Sequence, residues 1–304
     1  MKTKIVVIGS SNTDMVMRVD EFPRPGETIM GHDFMQNLGG KGANQAVACS
    51  RLGGDTAFIG KLGKDALGDN TLKQLARERM NLSHLTQTEE TSSGTAFITV
   101  NSHGENSIIV DSGANWKLSP SDIDRADALL QEAALVLMQL ETPIPTLIYA
   151  AQKAHSYGAR VVLNPAPAPQ EPLPAELLKN VDLLIPNETE AERISGMKAS
   201  EENLKQCFNK IQELGVKQVV ITLGSKGAAM LVDGEVKLVP SHKVEVVDTT
   251  AAGDTFCGGL CVALCQGKDI TDAIQFACAA SAITVTRMGA QQSIPYIDEI
   301  TQHK

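Results

Sequence analysis

Apolar segments of strand length alternate with helical segments along most of this chain. Strands are favoured at residues 5–8, 56–59, 135–140, 161–163, 183–185 and 219–222. Helices are favoured at residues 43–52, 69–80, 120–131, 143–157, 201–214, 254–266 and 271–285. Strands that are apolar throughout, each joined to the next by a helix, are typical of a parallel sheet covered on both faces. The alternation therefore predicts an α/β fold with a mostly parallel sheet, whose ligands bind at the carboxyl ends of its strands.

Two stretches depart from this alternation. Residues 15–36 and 95–110 alternate apolar with polar side chains and contain turn signals, which favours short antiparallel strands. Because the two stretches are alike in character, we expect them to pair into one small sheet that acts as a lid or as a dimer surface. Residues 228–232 and 235–239, on either side of Asp233-Gly234, predict a further hairpin.

Composition excludes several classes of partner. The net charge of −9 argues against nucleic acids and anionic membranes, which require a basic patch. The first apolar segment, residues 5–8, is too short for a signal peptide or a membrane span, so we expect a cytoplasmic protein. The six cysteines fit a reducing compartment. Cys257, Cys261 and Cys265 recur every four residues, but no Cys-x-x-Cys pair or spaced histidine accompanies them, so packing in a buried helix is favoured over a metal site.

Residues 249–255, with the sequence Thr-Thr-Ala-Ala-Gly-Asp-Thr, carry the strongest chemical signal. They follow an alternating run, residues 243–248, that predicts a strand, and they precede a helix. Small residues at Ala251, Ala252 and Gly253 allow a tight turn that leaves backbone amides free, and a helix that begins there directs N–H groups at an anion. Asp254 in the same turn can accept a proton from a hydroxyl group. An anion site beside a base is suited to phosphoryl transfer.

A second glycine-rich segment opens an earlier helix. Gly39-Gly40-Lys41-Gly42 and Asn44 place backbone amides and two polar side chains next to a ligand, although a plain helix-start turn remains an alternative. The spacing of a Walker phosphate loop is absent. Three further side chains lie at strand ends, where each can also be explained as an ordinary turn or helix cap: Asn12, Asp14 and Glu141.

Three polar loops follow the later strands and helices. Asn187 and Glu190 lie one helical turn apart, so they can share a magnesium ion through water or simply cap a helix. Residues 222–227 combine Gly224 and Gly227 with Lys226, which suits a nucleotide but is also common in turns. Residues 287–293 and the corner at 248–250 could surround a monovalent cation with carbonyl oxygens, although the sequence itself shows only a polar loop.

Taken together, these segments resemble the ribokinase family of carbohydrate kinases, also called the PfkB family, over essentially the whole chain. Both family signatures are present, at residues 39–42 and 248–254, and residues 40–46, 164–167 and 187–190 match the versions of the ribokinase subgroup. The resemblance implies one domain over residues 1–304, a three-layer α/β/α sandwich with lid strands inserted at about 13–38 and 94–111. In that family the lid also pairs two subunits, so a homodimer is implied.

The resemblance implies ATP-dependent phosphorylation of D-ribose at O5, with magnesium and potassium as cofactors. Asp254 would be the base, and the amides of residues 251–253 would stabilise the transferring phosphoryl group. The sugar would be held by Asn12, Asp14, Gly40, Lys41, Asn44, Glu141 and Asp254. The nucleotide would be held by Asn187, Thr222, Gly224, Lys226, Gly227, Gly253 and Cys278, with Asn187 and Glu190 serving magnesium. Potassium would be surrounded, largely through backbone oxygens, by Asp248, Thr250, Thr284, Arg287, Gly289 and Ser293.

Other functions fit less well. The same family includes kinases for deoxyribose, other sugars and nucleosides; a nucleoside would need an apolar or aromatic cover, and aromatic residues make up only 4% of the chain. The family often has His or Asn at the position of Cys278, near the adenine. A non-catalytic sugar-binding protein is disfavoured by the intact Asp254 turn, and a nicotinamide-dependent oxidoreductase by the absence of Gly-x-Gly-x-x-Gly after the first strand.

Overall fold

The computed structural model describes residues 2–301 of the chain. The strands are β1 (Lys4–Ile8), β2 (Asn12–Arg18), β3 (His32–Gly39), β4 (Asp55–Gly63), β5 (Met80–Thr88), β6 (Gly94–Val100), β7 (Asn106–Asp111), β8 (Ala133–Met138), β9 (Arg160–Leu163), β10 (Leu183–Leu184), β11 (Gln218–Thr222), β12 (Ala228–Val232) and β13 (Glu235–Val239). The helices are α1 (Lys41–Arg51), α2 (Ala66–Leu75), α3 (Pro120–Arg125), α4 (Asp127–Glu132), α5 (Ile144–Ser156), α6 (Ala175–Leu178), α7 (Glu188–Ser195), α8 (Leu204–Glu213), α9 (Ala252–Cys265), α10 (Ile270–Thr284) and α11 (Ile297–Thr301).

Nine of the strands form one large sheet in the order β13-β12-β11-β10-β9-β8-β1-β4-β5. Neighbouring strands are parallel from β11 to β5, whereas the β11–β12 and β12–β13 pairs at one edge are antiparallel. The predicted parallel sheet and the predicted hairpin are both confirmed. Parallel neighbours bring the carboxyl ends of their strands to the same edge of the sheet, where the candidate site lies.

The large sheet is covered on both faces. In the central strand β1, Ile5 and Val7 pack in a core with α1, α9 and α10, whereas Val6 and Ile8 pack in a second core with α3, α4, α5 and α8. All four side chains are fully buried. Burial of such side chains on both faces explains why the strand is apolar throughout, at about 1.5–3 kcal/mol for each side chain. The three-layer α/β/α architecture is therefore confirmed, and no helix within residues 2–301 is long and apolar enough to cross a membrane.

The two alternating stretches form a second sheet in the order β3-β2-β6-β7, which we call the lid sheet. Strands β3 and β7 pair antiparallel with β2 and β6, as predicted for each stretch. The two stretches join through a parallel pairing of β2 with β6, in which Asn12 lies opposite Gly94. A second, smaller sheet is thus confirmed, although it is mixed and not purely antiparallel.

The helices expected at 69–80 and 120–131 differ most from the structure. The helix expected at 69–80 is α2, which begins earlier because the Asp65 side chain accepts a hydrogen bond from Gly68 N at 2.8 Å, and which ends at Leu75. The chain then enters β5, an edge strand that the sequence analysis missed and in which only Leu85 is buried. The helix expected at 120–131 is divided into α3 and α4 at Ala126, which lies between them.

The strand expected at residues 243–248 was also wrong. These residues have no regular secondary structure, and the side chains of Val246 and Val247 are more than half exposed. The backbone N–H groups of Val247 and Asp248 donate to Val285 O at 2.8 and 3.2 Å, so the segment is tied to the end of α10 and not to a sheet. An alternating pattern therefore does not form a strand here, because these residues pair with no strand of either sheet within residues 2–301.

Candidate active site

Asp254 lies at the start of α9, where its carboxylate is 8% exposed and held by two amides. Asn44 Nδ2 donates to Asp254 Oδ2 at 2.9 Å, and Gln45 Nε2 donates to Asp254 Oδ1 at 2.9 Å. Both donors belong to α1, so the packing of α1 against α9 sets the position of the carboxylate. Hydrogen bonds to both of its oxygens fix the orientation of the carboxylate, which is the first requirement of a base.

A group of buried amides lies behind this carboxylate. Gln45 Nε2 also donates to Asn164 Oδ1 at 3.0 Å, Gln139 Nε2 donates to Gln45 Oε1 at 2.6 Å, and Asn164 Nδ2 donates to Ile185 O at 2.8 Å. The sequence analysis assigned no role to Gln45, Gln139 or Asn164. A signal was available, because Gln139 and Asn164 directly follow the buried strands β8 and β9, and Gln45 lies one residue after Asn44 on α1.

Asn44 also has an oxygen that faces no donor. Its Oδ1 is buried and makes no hydrogen bond within residues 2–301, although its Nδ2 is held by Asp254. A buried unpaired acceptor costs about 1–3 kcal/mol, so it indicates a missing partner with a donor group. A sugar hydroxyl is such a donor.

Glu141 anchors the beginning of α1. Its Oε2 accepts a hydrogen bond from Lys41 N at 2.9 Å and a short one from Ser10 Oγ. Glu141 does not cap its own following helix α5, for which Pro143 is the N-cap. The carboxylate therefore ties the end of β1 to the glycine-rich turn, and Ser10 is a contact that the sequence analysis missed.

Asn12 and Asp14 lie near the start of β2, at the end of the lid sheet that is closest to α1. Asn12 Oδ1 accepts a hydrogen bond from Asn115 Nδ2 at 2.7 Å, and Asn115, which the sequence analysis also missed, further bonds the backbone of Ser11. Burial, with smaller contributions from Glu141 and Asp254, raises the pKa of Asp14 to about 6. Gly40, with φ of 86°, leaves the space that this corner needs, since a Cβ there would lie 2.7 Å from Asn12 N.

Lys41 is the one cation among these carboxylates in the described part of the site. Burial would lower the pKa of the Lys41 ammonium, but Asp254, Glu141 and Glu190 outweigh burial and raise it. The lysine is therefore fully charged at neutral pH. It balances part of the negative charge and can meet either a sugar oxygen or a phosphate.

The first residues of α9 form the turn predicted to bind an anion. Ala251 is the N-cap in the left-handed conformation, with φ of 60°. Ala252 N donates to Thr249 O at 3.2 Å, whereas no hydrogen bond within residues 2–301 takes up the N–H of Ala251 or Gly253. A Cβ added at Gly253 would meet no atom within 4 Å, so this amide borders open space. The helix thus begins two residues before the predicted position, and two of the three predicted amides are free for a ligand.

A cavity of about 390 Å³ lies in front of this turn. Its lining includes six of the residues that the sequence analysis assigned to the nucleotide: Asn187, Thr222, Gly224, Gly227, Gly253 and Cys278. Lys226 does not line it and is exposed on the turn at Gly224–Lys226. Burial raises the pKa of Cys278 to about 11, so this thiol is neutral at physiological pH and acts as an apolar wall.

Asn187 and Glu190 cap helix α7 reciprocally. Glu190 N donates to Asn187 Oδ1 and Asn187 N donates to Glu190 Oε2, both at 2.8 Å. The cap interpretation is therefore correct, and it leaves Asn187 at the cavity wall and Glu190 buried, with its pKa raised by that burial. Residues 2–301 contain no group of three His, Cys, Asp or Glu side chains that could hold a metal directly. The donor set of one amide and one carboxylate fits a magnesium ion that keeps most of its waters.

Asp248 joins two of the other residues predicted to surround potassium, Thr250 and Gly289. Its Oδ1 accepts hydrogen bonds from Thr250 N and Oγ1 at 2.9 and 2.7 Å, and its Oδ2 accepts one from Gly289 N at 2.9 Å. The side chains of Thr284, Arg287 and Ser293 bond other protein groups, so these residues can offer only backbone oxygens. A carboxylate corner rich in carbonyl oxygens fits a hard monovalent cation.

A second cavity, of about 660 Å³, lies at the opposite edge of the sheet. It is lined by residues that begin strands β9 and β11, such as Arg160 and Gln218, together with His155, Asp182 and Lys217. None of the predicted site residues lies there. We place the active site at the smaller cavity because Gly253, whose amide is free, lines it, and because the next residue, Asp254, is bonded to Asn44.

Comparison with known proteins gives similarity over nearly the whole chain. The model of the pfkB family of carbohydrate kinases matches residues 2–297. The ribokinase of Staphylococcus aureus is 42% identical over 305 residues, which cover 99% of this chain and 100% of the relative. The deoxyribokinase of Salmonella typhimurium is 36% identical over 300 residues, 98% of each chain. The structure of Arabidopsis thaliana ribokinase complexed with ribose and ATP superposes with a TM-score of 0.91 at 35% identity, covering 99% of this chain and 98% of that one.

Proposed function

The chain belongs to the pfkB family of carbohydrate kinases, and from that membership we propose that it is an ATP-dependent ribokinase. It transfers the terminal phosphoryl group of ATP to O5 of D-ribose and releases D-ribose 5-phosphate and ADP. The observation that carries the proposal is the position of Asp254. Its buried carboxylate is held by Asn44 and Gln45 at 2.9 Å, one residue from the free amide of Gly253 at the cavity wall.

Asp254 is the base of this reaction. The sugar hydroxyl gives its proton to the carboxylate as its oxygen forms the new bond to phosphorus, and the bond between that phosphorus and ADP breaks. Phosphoryl transfer asks little covalent chemistry of the protein, so positioning and charge stabilisation supply most of the rate. The amides of Ala251 and Gly253 stabilise the negative charge on the transferring group, and Ala252 completes the turn that presents them.

The sugar binds between α1 and the lid sheet. Asn12, Asp14 and Glu141 offer hydroxyl acceptors, and Asn44 Oδ1 supplies the buried acceptor that has no protein donor. Lys41 offers a donor to a sugar oxygen, and Gly40 allows the close approach of the backbone. These five polar side chains suit a small polyol with several hydroxyl groups, whereas an apolar or aromatic substrate would need fewer polar contacts.

ATP binds in the cavity of about 390 Å³ between α9, α10 and the loops after β10 and β11. Thr222, Gly224 and Gly227 approach the nucleotide, Cys278 contacts the purine, and Lys226 can reach the phosphates from the rim. Asn187 and Glu190 would hold a hydrated magnesium ion, which neutralises phosphate charge when bound. Asp248, Thr250, Thr284, Arg287, Gly289 and Ser293 would surround potassium, which would order the turn beside the free amides.

The lid sheet is the surface for a second copy of the chain. Side chains alternate between its faces, so Met15, Phe97 and Ile109, which lie opposite one another across three strands, share the face away from Asp14. Phe97 and Ile109 are 53% and 71% exposed, and every residue of β7 is exposed. Exposed apolar residues on a regular sheet mark an interaction surface, and we infer that the protein is a homodimer.

The dimer is tested by Ile109→Glu, which places a charge in the centre of that face. Light scattering should show a monomer for this variant and a dimer for the parent protein. Leu238→Glu is the matched control, because Leu238 is 51% exposed but lies on β13 at the edge of the large sheet. A dimer that persists in Ile109→Glu, or that Leu238→Glu disrupts equally, would place the interface elsewhere.

The cysteines support a cytoplasmic location. All six are free, and five of them are buried. Cys257 and Cys261 lie in the core between α1 and α9, where burial raises the pKa of each thiol well above its usual range, so they pack as neutral side chains. Thiols of this kind, with no disulfide, fit a reducing compartment.

A panel of sugars with ATP, magnesium and potassium tests the proposed function. We expect kcat/KM to be highest for D-ribose, with stoichiometric ADP release and a product phosphorylated at O5. The second candidate is deoxyribose, because a deoxyribokinase is 36% identical to this chain. A higher kcat/KM for 2-deoxyribose would favour that candidate, and no sugar-dependent ADP release would refute both.

A further inference from the structure

Gln45 uses every hydrogen-bonding group of its side-chain amide. Its two N–H groups donate to Asp254 Oδ1 and Asn164 Oδ1 at 2.9 and 3.0 Å, and its Oε1 accepts from Gln139 Nε2 at 2.6 Å. Gln45 and Gln139 are fully buried, so water cannot replace any of these partners. An amide satisfied in this way has a single orientation, because rotation by half a turn would bring its oxygen against two acceptors.

On the Asn164 side, the orientation is imposed from the backbone. Asn164 Nδ2 donates to Ile185 O at 2.8 Å, which obliges Asn164 to present its oxygen to Gln45. Gln139 presents an N–H to Gln45 from the other side. The donors therefore all run in one direction, from Gln139 through Gln45 to Asp254, and the last acceptor is the carboxylate.

The three amides come from three different parts of the fold. Gln139 follows β8, Asn164 follows β9, and Gln45 lies on α1, whereas Asp254 lies on α9. The group thus connects the carboxyl ends of two central strands to both helices that form the site. Chains of hydrogen bonds in a low-dielectric interior strengthen one another and rigidify what they hold.

We propose that Gln45, oriented by Gln139 and Asn164, is a positioning residue that holds the Asp254 carboxylate in its reactive orientation. None of these three amides needs to contact sugar or nucleotide for this role. The inference rests on the proposed function, since it concerns the base of that reaction. It predicts that the direction of the hydrogen bonds matters and not only the volume of the side chains.

Gln45→Glu tests this direction with almost no change of shape. It replaces the amide N–H that faces Asp254 with an oxygen, so Asp254 must share a proton with the new carboxyl group. We expect kcat to fall by about 10–100-fold, by analogy with the loss of hydrogen-bond partners that orient metal ligands. The KM for ribose should change only a few-fold, and the acidic limb of the pH profile of kcat should move to higher pH.

Two variants at Gln139 act one residue further from Asp254. Gln139→Glu presents an acceptor to Gln45 Oε1 and so favours the rotated amide, with its oxygen against Asp254. Gln139→Met only removes the donor. We expect the shift of the acidic limb to be largest in Gln45→Glu, smaller in Gln139→Glu and smallest in Gln139→Met. Gln45→Met, which cannot compete for the proton, should lower kcat without that upward shift.

Val162→Ala is the control for loss of stability alone, because Val162 is a fully buried side chain of β9 outside the site. Its Tm should fall while its pH profile keeps the parent shape. The proposal is overturned if kcat of Gln45→Glu stays within a few-fold of the parent, or if kcat falls in step with Tm while the acidic limb does not move. An inactive parent protein would instead refute the ribokinase function.

Discussion

The sugar side and the nucleotide side of the site differ in how far their geometry is fixed by the protein itself. On the sugar side, buried Gln45 of α1 bonds buried Asp254 of α9, and Glu141, which follows β8, accepts a hydrogen bond from the first backbone amide of α1. On the nucleotide side, residues 243–250 have no regular secondary structure, and the valines among them are 41–56% exposed. The free amides of Ala251 and Gly253 lie where these two sides meet.

The difference concerns what each side must do before ATP arrives. Buried, satisfied polar groups form a rigid arrangement that needs no reorganisation at the moment of reaction. Exposed segments held by few hydrogen bonds open at low free-energy cost, which allows a large ligand to enter and leave. We infer that the base is preorganised and that the anion site is completed by its ligands, and each variant below separates the two sides.

The largest effect on kcat is expected for Asp254→Asn, which removes the base from the sugar side. The loss of a general base costs typically ~10²–10⁴-fold, and we expect kcat to fall within that range. The KM values for ribose and ATP should change only a few-fold, because the remaining contacts persist. Steady-state kinetics against both substrates measures the difference.

Stability provides the control for this variant. The new amide presents an N–H to the donors Asn44 and Gln45, so a modest fall in Tm is expected. The Val162→Ala variant, with a comparable fall in Tm, should keep its kcat. An Asp254→Asn protein with kcat within a few-fold of the parent would remove Asp254 from the role of base.

Gly253→Val tests the nucleotide side with a smaller expected effect. A Cβ at Gly253 would meet no protein atom within 4 Å, so the methyl groups would project into the cavity and leave Tm unchanged. Contact with the phosphates should raise the KM for ATP by roughly tenfold or more, since a tight contact costs about 1–3 kcal/mol. Isothermal titration should show ribose affinity unaltered; an equal loss of ribose affinity would mean that the two sides are not separable.

The sequence predicted the sugar side of the site better than the nucleotide side. The spacing within residues 39–46 indicated Lys41 and Asn44, because a helix that follows a glycine-rich turn places its first side chains at a known position. The partners of Asp254 could not be derived in the same way. Gln45 and Gln139 are 94 residues apart in the chain, and their contact depends on how α1 packs against the large sheet.

On the nucleotide side, the local sequence pattern led to a wrong prediction of secondary structure. Residues 243–248 alternate as a strand does, but a strand also needs a free edge to pair with, and the sequence does not state which edges are covered. Asn187 and Glu190 show the converse, because the spacing that suggested a magnesium site is also the spacing of a capping box, and the structure contains the cap. Spacing alone therefore could not distinguish a metal ligand from a helix cap.

The pH dependence of sugar binding provides a further test of the sugar side. Burial raises the pKa of Asp14 to about 6, so the folded protein binds this proton more tightly than the unfolded chain does. Charged Asp14 therefore lowers stability above pH 6, and this cost disappears as the pH falls towards 4. If ionised Asp14 accepts ribose hydroxyls, kcat/KM for ribose should fall about tenfold between its plateau and pH 5.

Asp14→Asn is the matched variant for this profile. It should lack the inflection near pH 6 in kcat/KM and should gain stability over the parent above pH 6 but not at pH 4, as measured by urea unfolding of the unliganded protein. A parent profile that is flat between pH 5 and 7 would show that Asp14 does not contact the sugar as an anion.

Exchange of potassium for sodium should have the smallest effect on kcat, and it tests only the nucleotide side. Burial would raise the pKa of Asp248, but hydrogen bonds from Thr250 and Gly289 outweigh it and keep the carboxylate charged, so the corner has charge to offer a cation. Because this corner directly precedes the free amides, potassium should raise kcat several-fold by ordering them, with ribose affinity unchanged. Asp248→Asn should abolish the difference between potassium and sodium while Tm changes little. Equal rates of the parent protein in the two salts would mean that the amides are ordered by ATP alone. The sugar side and the nucleotide side would then differ only in the solvent exposure of their residues.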